Sequence, residues 1–149
     1  MRWTPNTTVA TIIENSGKFL FVEELDTGKV VFNQPAGHLE ASETLIAGAI
    51  REVLEETGHE CEITDYLGLF TFTAPSNSTT YHRHCFVGKS IKYDPTLSLD
   101  DGIIGTRWLS LNELIESNQA RSPLVIKCVQ NYLNQKTYPL DVIYEHTND

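Results

Sequence analysis

Positive charge is scarce in this chain. It carries 11 Lys and Arg against 20 Asp and Glu, a formal net charge of −9, and its isoelectric point is near 4.9. Such a protein repels nucleic acid and anionic membranes, so neither is expected as a partner. Cysteine is sparse as well. Cys61, Cys85 and Cys128 are odd in number and widely spaced, which argues against a disulfide framework and a zinc-type pair and fits reduced thiols in a cytoplasmic protein. There is no run of about 18 apolar residues and no signal-peptide pattern, so neither a membrane span nor export is expected. Internal repeats, low-complexity tracts and linkers are missing too. What remains, 149 residues of which 40% are hydrophobic, suffices for one domain over 1–149 with a real core.

The negative charge is concentrated. Between Gly37 and Ile63 lie Glu40, Glu43, Glu52, Glu55, Glu56, Glu60 and Glu62, and Arg51 is the one Lys or Arg among them. Ser42 is a good N-cap, Glu43 suits the positive end of a helix dipole, and Gly58 suits the left-handed residue after a helix. Together they predict a helix over 43–57. At 100° per residue, Leu45, Ile46, Ala49, Ile50, Val53 and Leu54 form its apolar face. Glu52, Glu55 and Glu56, spaced i, i+3, i+4, share a second face bordering it, with Glu56 at the edge of the buried stripe. Gly48 costs roughly 1 kcal/mol against Ala in a helix interior, which suggests that something comes close there. Three carboxylates on one face suit a hard divalent ion with oxygen ligands, Mg2+ or Mn2+. The plainer alternative is a solvated acidic helix face. It is weakened because no Lys stands at i+4 from any of the three.

The spacing Gly37, five residues, Glu43, seven residues, then Arg51-Glu52-Val53-Leu54-Glu55-Glu56-Thr57-Gly58 resembles the signature of the Nudix hydrolases. It fits over 37–59 except at the last position, where His59 replaces a bulky aliphatic residue that packs rather than reacts. Gln34-Pro35-Ala36-Gly37-His38-Leu39-Glu40, Arg107-Trp108, Arg121-Ser122-Pro123-Leu124-Val125 and Tyr138-Pro139-Leu140 look most like the NudJ-type bacterial phosphatases, over nearly the whole chain. The resemblance implies hydrolysis of thiamine diphosphate, its pyrimidine precursor diphosphate, or nucleoside di- and triphosphates. It makes Glu52 and Glu56 metal ligands, Glu55 a further ligand or the base, and Arg51, helped by Glu43, the residue that orients the glutamates. It also offers the Gly37 carbonyl as a ligand. A Mg2+-activated water would attack phosphorus in line, with Glu55 or Glu56 positioning or deprotonating it. The alternatives are a nucleotide pyrophosphohydrolase of broad or different specificity, a diphosphate isomerase on the same fold, and a non-catalytic nucleotide-sensing module. Sensing modules commonly lose the box carboxylates, and all are present in this sequence.

Around the box, Thr7 to Ile13 and Lys18 to Glu24 read as strands joined by the hairpin turn Asn15-Ser16-Gly17. The run from Val30, Tyr66 to Thr73, Tyr81 to Ile91 and Thr106 to Leu109 are also strand-like. Ser110 with Glu113 is a capping-box start for a helix to about Ser117, and Ser122-Pro123 opens another to about Gln135. The fold class is therefore α/β, an α/β/α sandwich with a mixed sheet. Alternation puts His82 and His84 on one strand face and Tyr81, Arg83 and Cys85 on the other; two His without a third ligand favour a structural role, with substrate contact by His84 as the alternative. Asp100 and Asp101 are turn formers or, by the resemblance, a further acid, with Asp101 as the candidate for substrate contact. Arg121 pairs with a phosphate or with a surface carboxylate. Trp3, Phe32 and Trp108 offer rings for stacking, and otherwise belong to the core. The partner expected is a small phosphorylated molecule, bound by a monomer or weak homodimer.

Overall fold

The computed structural model describes residues 1–148. Elements follow one another as β1 (Asn6–Asn15), β2 (Lys18–Asp26), β3 (Lys29–Asn33), β4 (Ala36–His38), α1 (Leu45–Thr57), β5 (His59–Thr73), β6 (Thr80–Tyr93), β7 (Ile103–Leu109), α2 (Leu111–Ser117) and α3 (Pro123–Leu133), with a short 3-10 turn at Leu140–Val142. The seven strands form one sheet in the order β3-β2-β1-β6-β5, with β4 also pairing β1 and β7 pairing β2. It is mixed: β1 runs parallel to β6, and the other pairings are antiparallel. The β1–β2 hairpin closes through Ser16 and Gly17, both at positive φ, the conformation that matches strand twist in a two-residue turn.

Strand alternation makes two cores. Val9, Ile13, Leu20 and Phe86 point to the side covered by α1, where they meet Ala49 and Val53. Ala10, Ile12, Phe19, Phe21 and Cys85 point the other way, to Leu114 of α2 and Val125, Cys128 and Val129 of α3. This is the α/β/α layering expected, and no helix among the described residues is long and apolar enough to cross a membrane.

Three local expectations need correction. The box helix begins at Leu45, and its N-cap is Thr44, whose hydroxyl accepts from Ala47 N–H at 3.1 Å. Ser42 is not the cap; it sits at a positive φ of 67°, so Thr44 is the residue with the extended backbone a cap requires. Glu43 therefore precedes the helix instead of serving its first turn. Second, β5 starts at His59 rather than Tyr66. His59, Cys61 and Ile63 are buried while Glu60 and Glu62 are exposed, a period-two pattern obscured by the acidic residues continuing from the box. Third, α3 ends at Leu133, two residues short of the predicted end. The capping box is as expected, with Ser110 Oγ accepting from Glu113 N–H and Glu113 from Ser110 N–H.

Candidate active site

α1 carries its carboxylates toward β4 and the loop before β7. Glu52 and Glu56 are drawn in with Ala49 and Val53, and are only 7% and 8% exposed. A carboxylate at that depth is costly unless something stabilises its charge. Glu56 Oε1 accepts one hydrogen bond, from Ala36 N–H at 2.8 Å. Burial nevertheless pushes its pKa up to about 8, with Glu52, Glu24 and Asp100 adding repulsion. Burial raises Glu52 as well, against the opposing pull of Arg51.

Arg51 is the hub of the acidic cluster. Its Nε and Nη2 donate to the two oxygens of Glu43 at 2.9 and 2.7 Å. Its Nη1 donates to Glu52 Oε1 at 2.8 Å and Glu55 Oε2 at 3.1 Å, and Nη2 also reaches the His38 carbonyl at 3.1 Å. Such bidentate pairing fixes direction as well as charge. It holds Glu43 below the usual carboxylate range, and Glu43 foremost raises Arg51 above its ordinary value. One arginine thus orients three glutamates, and Glu43 locks the arginine. Glu43 also accepts from Glu40 N–H at 2.9 Å.

Two glycines make room for these groups. A Cβ on Gly37 would overlap the Glu52 carboxylate, and one on Gly48 would stand 2.8 Å from Glu43 Oε1 and 2.9 Å from Leu39 Cδ1. The close approach expected at Gly48 is therefore made by Glu43 and Leu39. His59 packs, as expected: its ring stacks on Tyr93 at 4.4 Å and its Nδ1 lies 2.7 Å from Ser90 Oγ.

Glu52, Glu55 and Asp100 each bring a carboxylate oxygen within 4.8 Å of the others. Asp100 is anchored by its own N–H, which donates to the Glu55 carbonyl at 3.1 Å. Of the two loop aspartates, Asp100 rather than the candidate Asp101 joins the cluster; Asp101 is exposed and outside it. Glu56, expected as a ligand, is not one of the three; it is buried, with its Oε1 on Ala36 N–H. Arg121 pairs with Glu24, Nη1 to Oε1 at 2.8 Å; Glu24 is the carboxylate whose charge also reaches Glu56, and the sequence offered no signal for it. Trp3 is largely exposed and makes an edge contact with His82. His84 sits 2.9 Å from the Tyr66 hydroxyl. None of these four side chains belongs to the Glu52–Glu55–Asp100 cluster. Phe32 is core, with the Arg107 guanidinium over its ring, and Trp108 packs edge-on to His59.

Residues 3–128 match the family model described as the NUDIX domain. This chain belongs to the Nudix family. The Nudix chain is 40% identical over 139 residues to the phosphatase NudJ of Escherichia coli K12, covering 93% of this chain and 90% of that protein. The match to NudJ of Shigella flexneri has the same extent and identity. A solved Nudix hydrolase from Nitrosomonas europaea superposes with a TM-score of 0.93 at 43% identity, covering 96% of this chain and 98% of that one. The protein is a NudJ-like Nudix hydrolase acting on phosphoric anhydride bonds. Nudix hydrolases act on small phosphorylated molecules and generally use a divalent metal, and the clustered carboxylates supply the hard oxygen donors such an ion takes.

Proposed function

We propose that this Nudix hydrolase cleaves a diphosphate linkage in a small metabolite with Mg2+ as its cofactor and Mn2+ as a substitute. Its substrates are thiamine diphosphate, the pyrimidine precursor diphosphate or nucleoside di- and triphosphates. The observation that carries the reading is the Glu52–Glu55–Asp100 cluster, backed by buried Glu56 in a chain 40% identical to NudJ phosphatases over 93% of its length. The donor set fits Mg2+: the clustered groups are carboxylates, hard oxygen donors, and Gly37, by lacking a Cβ, leaves room for the Glu52 carboxylate.

Glu52, Glu55, Asp100 and Glu56, with the Gly37 carbonyl, would hold the ion. When bound, Mg2+ supplies charge for the phosphate oxygens and acidifies a water. The protein's own part is positional and electrostatic. Glu52 keeps one oxygen on Arg51, which holds its aim. The Glu55 side chain is 40% exposed, so it is the carboxylate best placed to take the proton of an incoming water as that water attacks phosphorus in line. Glu56 enters the working state by losing the proton that burial favours. Arg121, on its pair with Glu24, is the cation that would take a substrate phosphate, and exchange of Glu24 for phosphate would release it.

The test is phosphate release from these compounds, side by side, with and without Mg2+ and with Glu56→Gln. Turnover that needs Mg2+, is lost in the variant and favours the thiamine and pyrimidine compounds supports this substrate class. Equal turnover of many nucleotides makes the protein a broad pyrophosphohydrolase. Tight binding with no product from any compound overturns the catalytic reading in favour of a sensing module.

A further inference from the structure

Arg83 of β6 is a buried cation that the catalytic groups leave unused. It is 7% exposed, and among the described residues no Asp or Glu oxygen lies within 4.0 Å of its guanidinium. Its partners are neutral. Nη1 donates to Gln34 Oε1 and Nη2 to Asn33 Oδ1, both at 2.7 Å. A buried guanidinium without a carboxylate is costly, and an apolar side chain would fill the same space without that cost. What an apolar side chain does not supply is a rigid fork that grips two consecutive residues.

Those two residues lead directly into the site. Asn33 ends β3, Gln34 and Pro35 make the turn, and Ala36 and Gly37 open β4. Ala36 N–H donates to Glu56, and Gly37 faces the Glu52 carboxylate. The register shows how the fork arrives. Thr8 of β1 pairs with His38 on one side and Arg83 on the other, and Ala10 pairs with Ala36 and Cys85. The small residues Thr8 and Ala10 let the Arg83 side chain cross β1 to reach the turn. From the far side, Gln34 Nε2 donates to the Val125 carbonyl in α3 at 2.8 Å. That bond also decides the orientation of the amide and leaves Oε1 for Arg83. The turn is thus held from β6 and from α3, and its Pro35 carbonyl accepts from Thr11 N–H.

We propose that Arg83 is a positioning residue of the catalytic turn: by clamping Asn33 and Gln34 it sets the aim of Ala36 N–H at Glu56 and of Gly37 at Glu52, and so the metal affinity of the site. The proposal rests on the reading of that site as a metal-dependent hydrolase. Outer partners of metal ligands typically govern 10- to 100-fold in metal affinity.

The test uses the full chain, with direct Mn2+ titration of the metal-free protein, kcat and KM measured separately, and thermal unfolding. Arg83→Met is expected to weaken Mn2+ binding about tenfold or more and to lower kcat with little change in KM. Arg83→Lys, which reaches one amide but not both, is expected to fall between. Val129→Ala removes buried volume within α3 while leaving every side chain of the clamp in place, and controls for lost stability; it is expected to lower Tm with Mn2+ affinity intact. Asn33→Asp keeps an oxygen at Nη2 and neutralises the guanidinium, so it is expected to raise Tm and leave Mn2+ affinity within about twofold, since the clamp is preserved. Wild-type Mn2+ affinity in Arg83→Met, equal losses in Val129→Ala, or an equal loss in Asn33→Asp would overturn the positioning role. If the unaltered protein neither binds Mn2+ nor turns over, the hydrolase reading itself fails, and this one with it.

Discussion

Replacing Glu56 with Gln should stabilise the metal-free protein while disabling it. Glu56 is 8% exposed, and burial carries its pKa from 4.5 to about 8. In the folded protein the group thus keeps a proton that the unfolded chain has released. Its contribution to stability is complete below pH 4.5 and is lost as pH rises through about 8. A displacement of that size corresponds to roughly 5 kcal/mol between the two ends of the window, an upper range because neighbouring carboxylates share the titration. Gln keeps a carbonyl oxygen for Ala36 N–H and carries no charge. Urea unfolding of wild type and Glu56→Gln, with divalent ions chelated, should give similar stabilities near pH 5 and a variant that is more stable by a few kcal/mol at pH 9. Added Mg2+ should then stabilise the wild type by mass action and leave the variant nearly unchanged. Turnover by the variant should fall by at least roughly two orders of magnitude. A stability difference that does not change from pH 5 to pH 9 would refute the reasoning, because it would mean that Glu56 is ionised in the folded protein throughout.

Gly37→Ala places a Cβ in the Glu52 carboxylate, so Glu52 must move; the expected result is at least about tenfold weaker Mn2+ binding by direct titration. Asp100→Asn should weaken Mn2+ binding by a similar factor, whereas Asp101→Asn should leave it unchanged, because only Asp100 shares the cluster with Glu52 and Glu55; equal effects of the two would remove Asp100 from the site. Ser110→Ala removes the Oγ that accepts from Glu113 N–H, while the backbone N–H at 110 can still donate to the Glu113 carboxylate, and should cost about 1 kcal/mol in urea unfolding with kcat unaltered.

How much of this could be read in the sequence depended on whether the physics was local. The box helix, the Ser16-Gly17 hairpin, the Ser110 cap and the Ser122-Pro123 start are set by neighbours in the chain, and each is where its residues place it or nearly so. The N-cap at residue 44 rather than 42 is a choice between two hydroxyl residues that only the backbone conformation decides. The role of Arg51 was visible because all its glutamates lie within the box. Asp100, Glu24 and Arg83 were not legible in the same way. Asp100 sits 45 residues beyond Glu55 and reaches it through a loop-to-helix hydrogen bond. Arg83 is brought to Gln34 by the parallel pairing of β1 with β6, across 49 residues. The strand face of Arg83 could be predicted, but not the strand that it would cross to. The box carries the clustered glutamates, while the elements that fix their geometry are distributed along the rest of the chain. A departure in substrate or metal affinity between this protein and a relative with the same box should therefore trace to positions such as 24, 33, 34, 83 and 100 rather than to the shared glutamates.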